Sequence, residues 1–490
     1  MTDHVDVVIV GAGLSGIGAA WHLQQRCPDR RYVILEARQA MGGTWDLFRY
    51  PGIRSDSDMH TLGYSFRPWT AAKSIADGPS IRDYIEETAR DGGIDRHIRY
   101  GHKVVAAAWS TAEACWRVEV ARDDGTHTSM TCTWLHMCSG YYDYEQGHAP
   151  DFAGQETFAG RVVHPQFWPE DMDYAGKKVV VIGSGATAVT LVPSMARQAE
   201  HVTMLQRSPT YVVSRPAQDR LANWLRSKLP AKTAYGLTRW KNVTMGMLFY
   251  RMTRRRPEAT KERLIGMVRE HLGPDYDVAT HFTPRYNPWD QRLCLVPDAD
   301  LFDTIKAGKA DVITDTIERF TPRGILLTSG RELEADIIVT ATGLKMSLFD
   351  RVRLTRDGDE VRLADSLQYK GMMFSDVPNL SFTFGYTNAS WTLKADLVAM
   401  YMCRLLNTLA RRGLRQATPR IGAVGVAAEP FVDFTSGYIQ RALDQLPKQG
   451  DRKPWRLNQN YALDVMALRF GSVDDSMEFS NPAGSQRRAA

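Results

Sequence analysis

Residues Val5 to Val10 read Val-Asp-Val-Val-Ile-Val and run without a break into Gly11-Ala12-Gly13-Leu14-Ser15-Gly16. A run this rich in β-branched residues is the pattern of a strand buried on both faces, which belongs to parallel sheets covered by helices. A helical pattern follows through Leu23, and a second apolar strand, Tyr32 to Leu35, ends at Glu36. Together they make a β-α-β unit with a Gly-x-Gly-x-x-Gly turn. Gly11 allows the tight turn, Gly13 lets the backbone approach a pyrophosphate, and Gly16 lets helix and strand pack closely. Ser15 lies in the same turn, at a helix N-terminus whose positive end suits phosphate. Glu36, twenty residues after Gly16, stands where a carboxylate accepts from both ribose hydroxyls. The blander alternative is a β-α turn with an incidental acid.

A second unit begins at Lys178. Strand Val179 to Ile182 leads into Gly183-Ser184-Gly185-Ala186-Thr187-Ala188-Val189, a helix, and strand Val202 to Leu205. The position that discriminates between nucleotides differs: this strand ends in Gln206-Arg207-Ser208 where the first ends in Glu36. A carboxylate there would repel a 2′-phosphate, whereas Arg207 can fork onto it and Ser208 can donate to it. This favours NADP over NAD; otherwise Arg207 is a solvated surface arginine. Two such sites imply two cofactors exchanging electrons, FAD at the first and NADPH as reductant at the second.

What receives the electrons is narrowed by the cysteines. Cys27, Cys115, Cys132, Cys138, Cys294 and Cys403 include no Cys-x-x-Cys pair. A vicinal redox dithiol and a zinc ribbon are thereby excluded, no metal site is expected, and a reducing cytosol fits. Oxygen, a quinone or a protein partner remain as acceptors. No apolar run approaches the roughly 18 residues of a membrane span, and the start is not a signal peptide. Charge is unevenly spread. The chain carries +5 overall, yet Arg220 to His271 holds thirteen Lys or Arg against three Glu, which leaves −5 for the rest. Nucleic acid is not an expected partner. The basic stretch is rich in helix formers, with Trp224, Tyr235, Trp240, Phe249 and Tyr250. It reads either as a solvated face or as a peripheral membrane patch.

At 490 residues the chain is too long for one core. The expected class is α/β: two Rossmann-like domains with parallel sheets and a helical insertion in the NADPH domain. The expected division is a first FAD-binding part over 1–145, a first NADPH-binding part over 146–215 and the helical insertion over 216–290. The NADPH domain resumes over 291–344, the FAD domain over 345–480, and 481–490 is a flexible tail.

Two longer patterns then meet a known family. Phe158, Gly160, His164, Trp168 and Pro169 stand in the spacing Phe-x-Gly-x-x-x-His-x-x-x-Trp-Pro. Gly42, Gly43, Trp45, Tyr50, Pro51, Gly52 and Asp56 form a second. In both, the chain resembles the Baeyer–Villiger flavin monooxygenases, from about Val5 to Tyr461. The resemblance implies that NADPH reduces FAD, oxygen adds to the flavin, and the peroxyflavin inserts oxygen into an apolar ketone to give an ester or lactone. Sulfoxidation of sulfides and thioamides is implied as an additional activity. The family's catalytic arginine falls on Arg292 and its flavin-side aspartate on Asp56. Gly43, Thr44, Trp45, Asp46 and Leu47 fall in the flavin-contacting loop, Val104 on a strand beside the adenine, and Arg54, Ser55 and Asp56 where nicotinamide and flavin meet. Gln291 stands where relatives carry a lysine for the 2′-phosphate, which shifts that task toward Arg207. His164 reads as a general base or as an ordered linker residue, and Trp391 and Trp455 as core aromatics or cofactor contacts. The rivals are an N- or S-oxygenating flavin monooxygenase and a flavoprotein electron carrier. The expected compartment is the cytoplasm, with membrane association the alternative to the solvated face.

Overall fold

The computed structural model describes residues 3–291, 293–422, 425–432 and 436–482, so Arg292 lies outside the described residues. The chain opens with β1 (Asp3–Val10), α1 (Leu14–Arg26) and β2 (Tyr32–Leu35), and Val7 to Val10 pair in parallel with Tyr32 to Leu35. Both faces of these strands are buried. Next come β3 (His102–Ser110), β4 (Cys115–Arg122) and β5 (His127–Met137), an antiparallel meander whose last strand returns parallel to β1. This nine-stranded sheet is therefore mixed, not parallel as the sequence suggested. The reason is loop length. Residues 111–114 and 123–126 are four-residue connections. Links that short join only antiparallel neighbours, because a parallel crossover needs about a dozen residues.

The second sheet is parallel throughout. It contains β6 (Arg161–Val163), β7 (Lys178–Ile182), β8 (His201–Gln206), β9 (Ala310–Thr314) and β10 (Ile337–Thr340), in the order β9-β8-β7-β10-β6. Helix α2 (Ala186–Met195) connects β7 to β8. Two short strands, Val212–Arg215 and Cys294–Pro297, pair in parallel and form the stem of a helical segment. That segment holds α3 (Arg220–Lys228), α4 (Ala231–Arg255) and α5 (Pro257–Leu272). Further on, α6 (Asp300–Lys306) precedes β9, and α7 (Trp391–Arg412) packs along α1.

One arginine fastens α4 to the first sheet's lobe. Arg239 is buried, and its Nη1 donates to the carbonyls of His60 at 2.9 Å and Gly63 at 2.8 Å. Its Nη2 lies 3.6 Å from Asp396 on α7, which also takes His22 Nε2 and the Ser65 N–H, each at 3.0 Å. Burial works against the Asp396 charge, but the His22 bond and Arg239 outweigh it and hold its pKa below the usual carboxylate value.

A second buried group makes the fold acid-sensitive. His136 on β5 is fully buried, with Nδ1 2.8 Å from Ser381 Oγ, and burial pushes its pKa down to about 4. The unfolded chain takes up this proton near pH 6.5, whereas the folded chain resists until about 4. Stability from His136 is therefore complete above about pH 6.5 and falls by roughly 3 kcal/mol as pH drops toward 4. Denaturant unfolding at pH 7 and pH 4.5 measures this, and His136→Asn should flatten the difference. Met477–Ser480 pairs with Gln416–Pro419, and of the tail expected over 481–490 residues 483–490 lie outside those described.

Candidate functional site

A cavity of about 1540 Å³ runs from the first glycine turn to the second and on to the helical segment. At one end, Gly13, Ser15, Gly43, Thr44 and Trp45 line it. Gly11 sits at φ +102°, and a Cβ there would come within 2.7 Å of the Cys138 carbonyl oxygen. A Cβ on Gly16 would lie 1.9 Å from the Gly11 oxygen, and one on Gly43 3.1 Å from Gly13 Cα. The glycines thus leave a backbone cradle that no other residue could leave. Helix α1 starts on Gly13 with no side-chain cap, so its first-turn N–H groups are open to an anion in the cavity. The Trp391 indole donates to Ser15 Oγ at 2.8 Å, which makes Trp391 part of the cavity wall, whereas Trp455 is buried core.

Glu36 is set beside this turn. Its two oxygens accept the Ala12 N–H at 2.7 Å and the Arg38 N–H at 2.9 Å, and burial raises its pKa. Asp46 is also buried. It is held by Arg38 at 2.5 Å and Arg49 at 2.8 Å, which orders the loop rather than lining the cavity. Leu47 packs under that loop, and Val104 is buried on β3.

The second turn repeats the design. Gly183 sits at φ +133° against the Ala341 carbonyl, and α2 starts on Gly185 with no side-chain cap. Ala186 and Thr187 line the cavity, while Ala188 and Val189 are on the buried face of α2. Ser184 Oγ donates to the Ser208 carbonyl at 3.2 Å, which brings the exposed Arg207 and Ser208 beside the turn at the end of β8.

Between the turns lies the junction of the two lobes. Tyr50 reaches Thr187 there, and burial pushes its hydroxyl up to about 12, so it stays a neutral donor. Arg54, Ser55 and Asp56 line the cavity, and Arg54 donates to both oxygens of Asp300 at the start of α6. Trp289 and Leu293 line it on either side of the undescribed Arg292. Tyr386, Leu393 and Tyr461, with Val243 and Met247 of α4, close the far end. None of these was marked by a motif. They meet across more than two hundred residues of chain, so no spacing could have announced them. His164 is half-buried and caps the turn Pro165–Phe167 by accepting the Gln166 N–H at 3.2 Å, the ordered-linker reading.

Known proteins share this arrangement. The profile of the flavin-binding monooxygenase-like family matches residues 74–225, and that of an NAD(P)-binding Rossmann-like domain matches residues 9–77. The FAD-containing monooxygenase EthA of Mycolicibacterium smegmatis is 57% identical over 482 residues, 98% of each chain. EthA of Mycobacterium tuberculosis is 56% identical over 476 residues, 97% of each. Among solved structures, an oxidized steroid monooxygenase bound to NADP matches with a TM-score of 0.78 at 22% identity, over 98% of this chain and 100% of that one. The open crystal structure of cyclohexanone monooxygenase matches at 0.73 and 22% identity, with the same coverage. At that identity the structures speak for the fold alone. The chain-long relatives speak for more, and by them this chain belongs to the family of FAD-containing monooxygenases.

Proposed function

We propose that this chain uses FAD, NADPH and oxygen to convert apolar ketones to esters or lactones, and that it oxygenates sulfides and thioamides at sulfur as an additional activity. The observation that carries the reading is the single cavity, which touches both uncapped glycine turns and continues to an apolar end. In balance, ketone, O2, NADPH and a proton give ester, NADP and water. Bound FAD, once reduced, supplies the activation of oxygen.

The chain's own residues do the remaining work. The first turns of α1 and α2 present N–H groups to the two pyrophosphates. Glu36 would hold the ribose of the first cofactor, and Arg207 and Ser208 the 2′-phosphate of the second. Val243, Met247 and Leu393 exclude water and hold an apolar substrate; the family resemblance gives Arg292, outside the described residues, the task of meeting the negative charge that develops on the substrate oxygen, with Asp56 as the carboxylate to orient it. The place of work we read is the cytoplasm, with peripheral membrane association through the basic helical segment the alternative.

Product analysis with aliphatic, cyclic and aryl ketones and sulfides, under NADPH and under NADH, tests the reading. Esters formed with NADPH preferred are the expected result; sulfoxides or N-oxides without esters would replace it with the rival oxygenase. Arg207→Ala should cost about ten- to hundredfold in use of NADPH and leave NADH use unchanged, because a charged hydrogen bond to phosphate contributes about 1.5–3 kcal/mol.

A further inference from the structure

Twelve large apolar side chains stand exposed among the described residues, and ten of them fall on two stretches, 221–252 and 463–470. On α4 they follow the helical period. At 100° per residue, Leu237, Trp240, Leu248 and Met252 share one stripe, and all are exposed. Leu221 and Trp224 extend the face on α3. Trp240 meets Tyr461 with ring centres 5.7 Å apart, which joins this face to the short helical segment Tyr461–Phe470 carrying Leu463, Met466 and Phe470. The patch also borders the cavity, because Leu221, Met245 and Leu463 are both exposed and cavity-lining. Its surroundings are basic: Lys228, Lys232, Arg251, Arg255, Arg256 and Arg469 are exposed around it.

A contiguous apolar patch of this kind marks an interface rather than ordinary surface. Its basic flanks decide what covers it. A second copy docking by two-fold symmetry would set this positive rim against itself. An anionic bilayer meets both features at once, with Trp and Phe at the headgroup level, Leu and Met below it, and Lys and Arg on the phosphates. No helix among the described residues is long and apolar enough to cross a membrane, so the contact is with the surface.

We propose that the α3–α4 face and the helical segment carrying Leu463 to Phe470 dock on an anionic lipid bilayer with the cavity mouth against the acyl layer, so that apolar substrate enters from the lipid. The delivery part rests on the ketone reading; the docking part does not.

The test is co-sedimentation of the flavin-loaded full chain with phosphatidylglycerol–phosphatidylcholine vesicles or phosphatidylcholine vesicles. Binding should need the anionic lipid and fall about tenfold between about 0.02 M and about 0.5 M salt as the Debye length shrinks. The triple variant Trp224→Ser, Leu248→Ser, Phe470→Ser keeps every charge and touches none of the cavity-lining residues. It should lose binding about tenfold at low salt while its flavin absorbance stays unchanged. With a water-soluble ketone its kcat/KM should stay within about twofold of the parent. With a ketone preloaded in vesicles it should fall about tenfold, in step with binding. Absent vesicle binding at low salt, or equal binding by the triple variant, overturns the docking. Self-association that the triple variant abolishes, without vesicle binding, overturns it in favour of a second copy. Equal rates for parent and variant with the vesicle-held ketone overturn the delivery. If the parent oxidises neither ketone, the ketone reading and with it the delivery fall, and sedimentation still decides the docking.

Discussion

Replacing Arg292 with alanine is expected to lower ester formation about a thousandfold while FAD binding and slow NADPH consumption persist. Attack on a ketone carbonyl leaves a negative charge on its oxygen, inside a cavity whose far end includes Val243, Met247 and Leu393. A fixed cation there stabilises the charge as it develops, and arginine suits because it does not lose its own charge. At about 4 Å and an effective dielectric near 20, one such pair contributes about 4 kcal/mol, which is about a thousandfold in rate. Its sequence neighbours Trp289 and Leu293 line the cavity, as Asp56 does. The competing role is a surface pair with Asp290. That carboxylate takes Arg254 at 2.8 Å on one oxygen and the Asn287 N–H at 3.1 Å on the other, and keeps acceptor capacity for a further donor. Steady-state product analysis of Arg292→Ala decides: ester formation within about threefold of the parent would remove the arginine from the reaction, and lost flavin absorbance would make its role structural.

Arg239→Met should have the largest effect on stability, about 3–5 kcal/mol. An exposed ion pair contributes about 0–1 kcal/mol, because water screens it and long side chains lose freedom to form it. Arg239 and Asp396 differ in being buried, at 6% and 3% exposure, so removing the cation leaves a carboxylate in the interior with only its other partners. The carbonyls of His60 and Gly63 lose their donor as well. The loss should concentrate where α4 meets α7. Hydrogen exchange of the 231–255 amides should speed up by about a hundredfold or more, with the β7–β10 amides changing much less. Unchanged exchange in α4 would show that Arg239 fastens nothing.

Local periodicity carried the two β-α-β units. Val5 to Val10, apart from Asp6, and Val179 to Ile182 have no polar face to offer water, and each runs straight into glycines, so the strands and turns were readable within two residues, while α1 runs three residues past the Leu23 that the pattern marked. The same holds for Glu36 and Arg207, whose places follow from counting along a unit of fixed geometry. Sheet direction was not readable in this way. The β3–β5 strands alternate like any half-buried strands, and only the length of their connections made them antiparallel.

The cavity beyond the turns depended wholly on tertiary structure. Tyr386, Leu393 and Tyr461 face Val243 and Met247 because Arg239 draws α4 onto the lobe that carries α7. A buried ion pair between positions 239 and 396 has no periodic signature, since its partners need only meet in space. The exposed stripe on α4 is the mirror of the same fact. In sequence, Leu237 and Leu248 looked no different from core residues of an amphipathic helix, and Trp240 stood in the same group of aromatics as Tyr235, which is buried. Which face turned inward was decided when Arg239 and Tyr235 went inside, because burying a charge is tolerable only where carbonyls and a carboxylate are waiting for it.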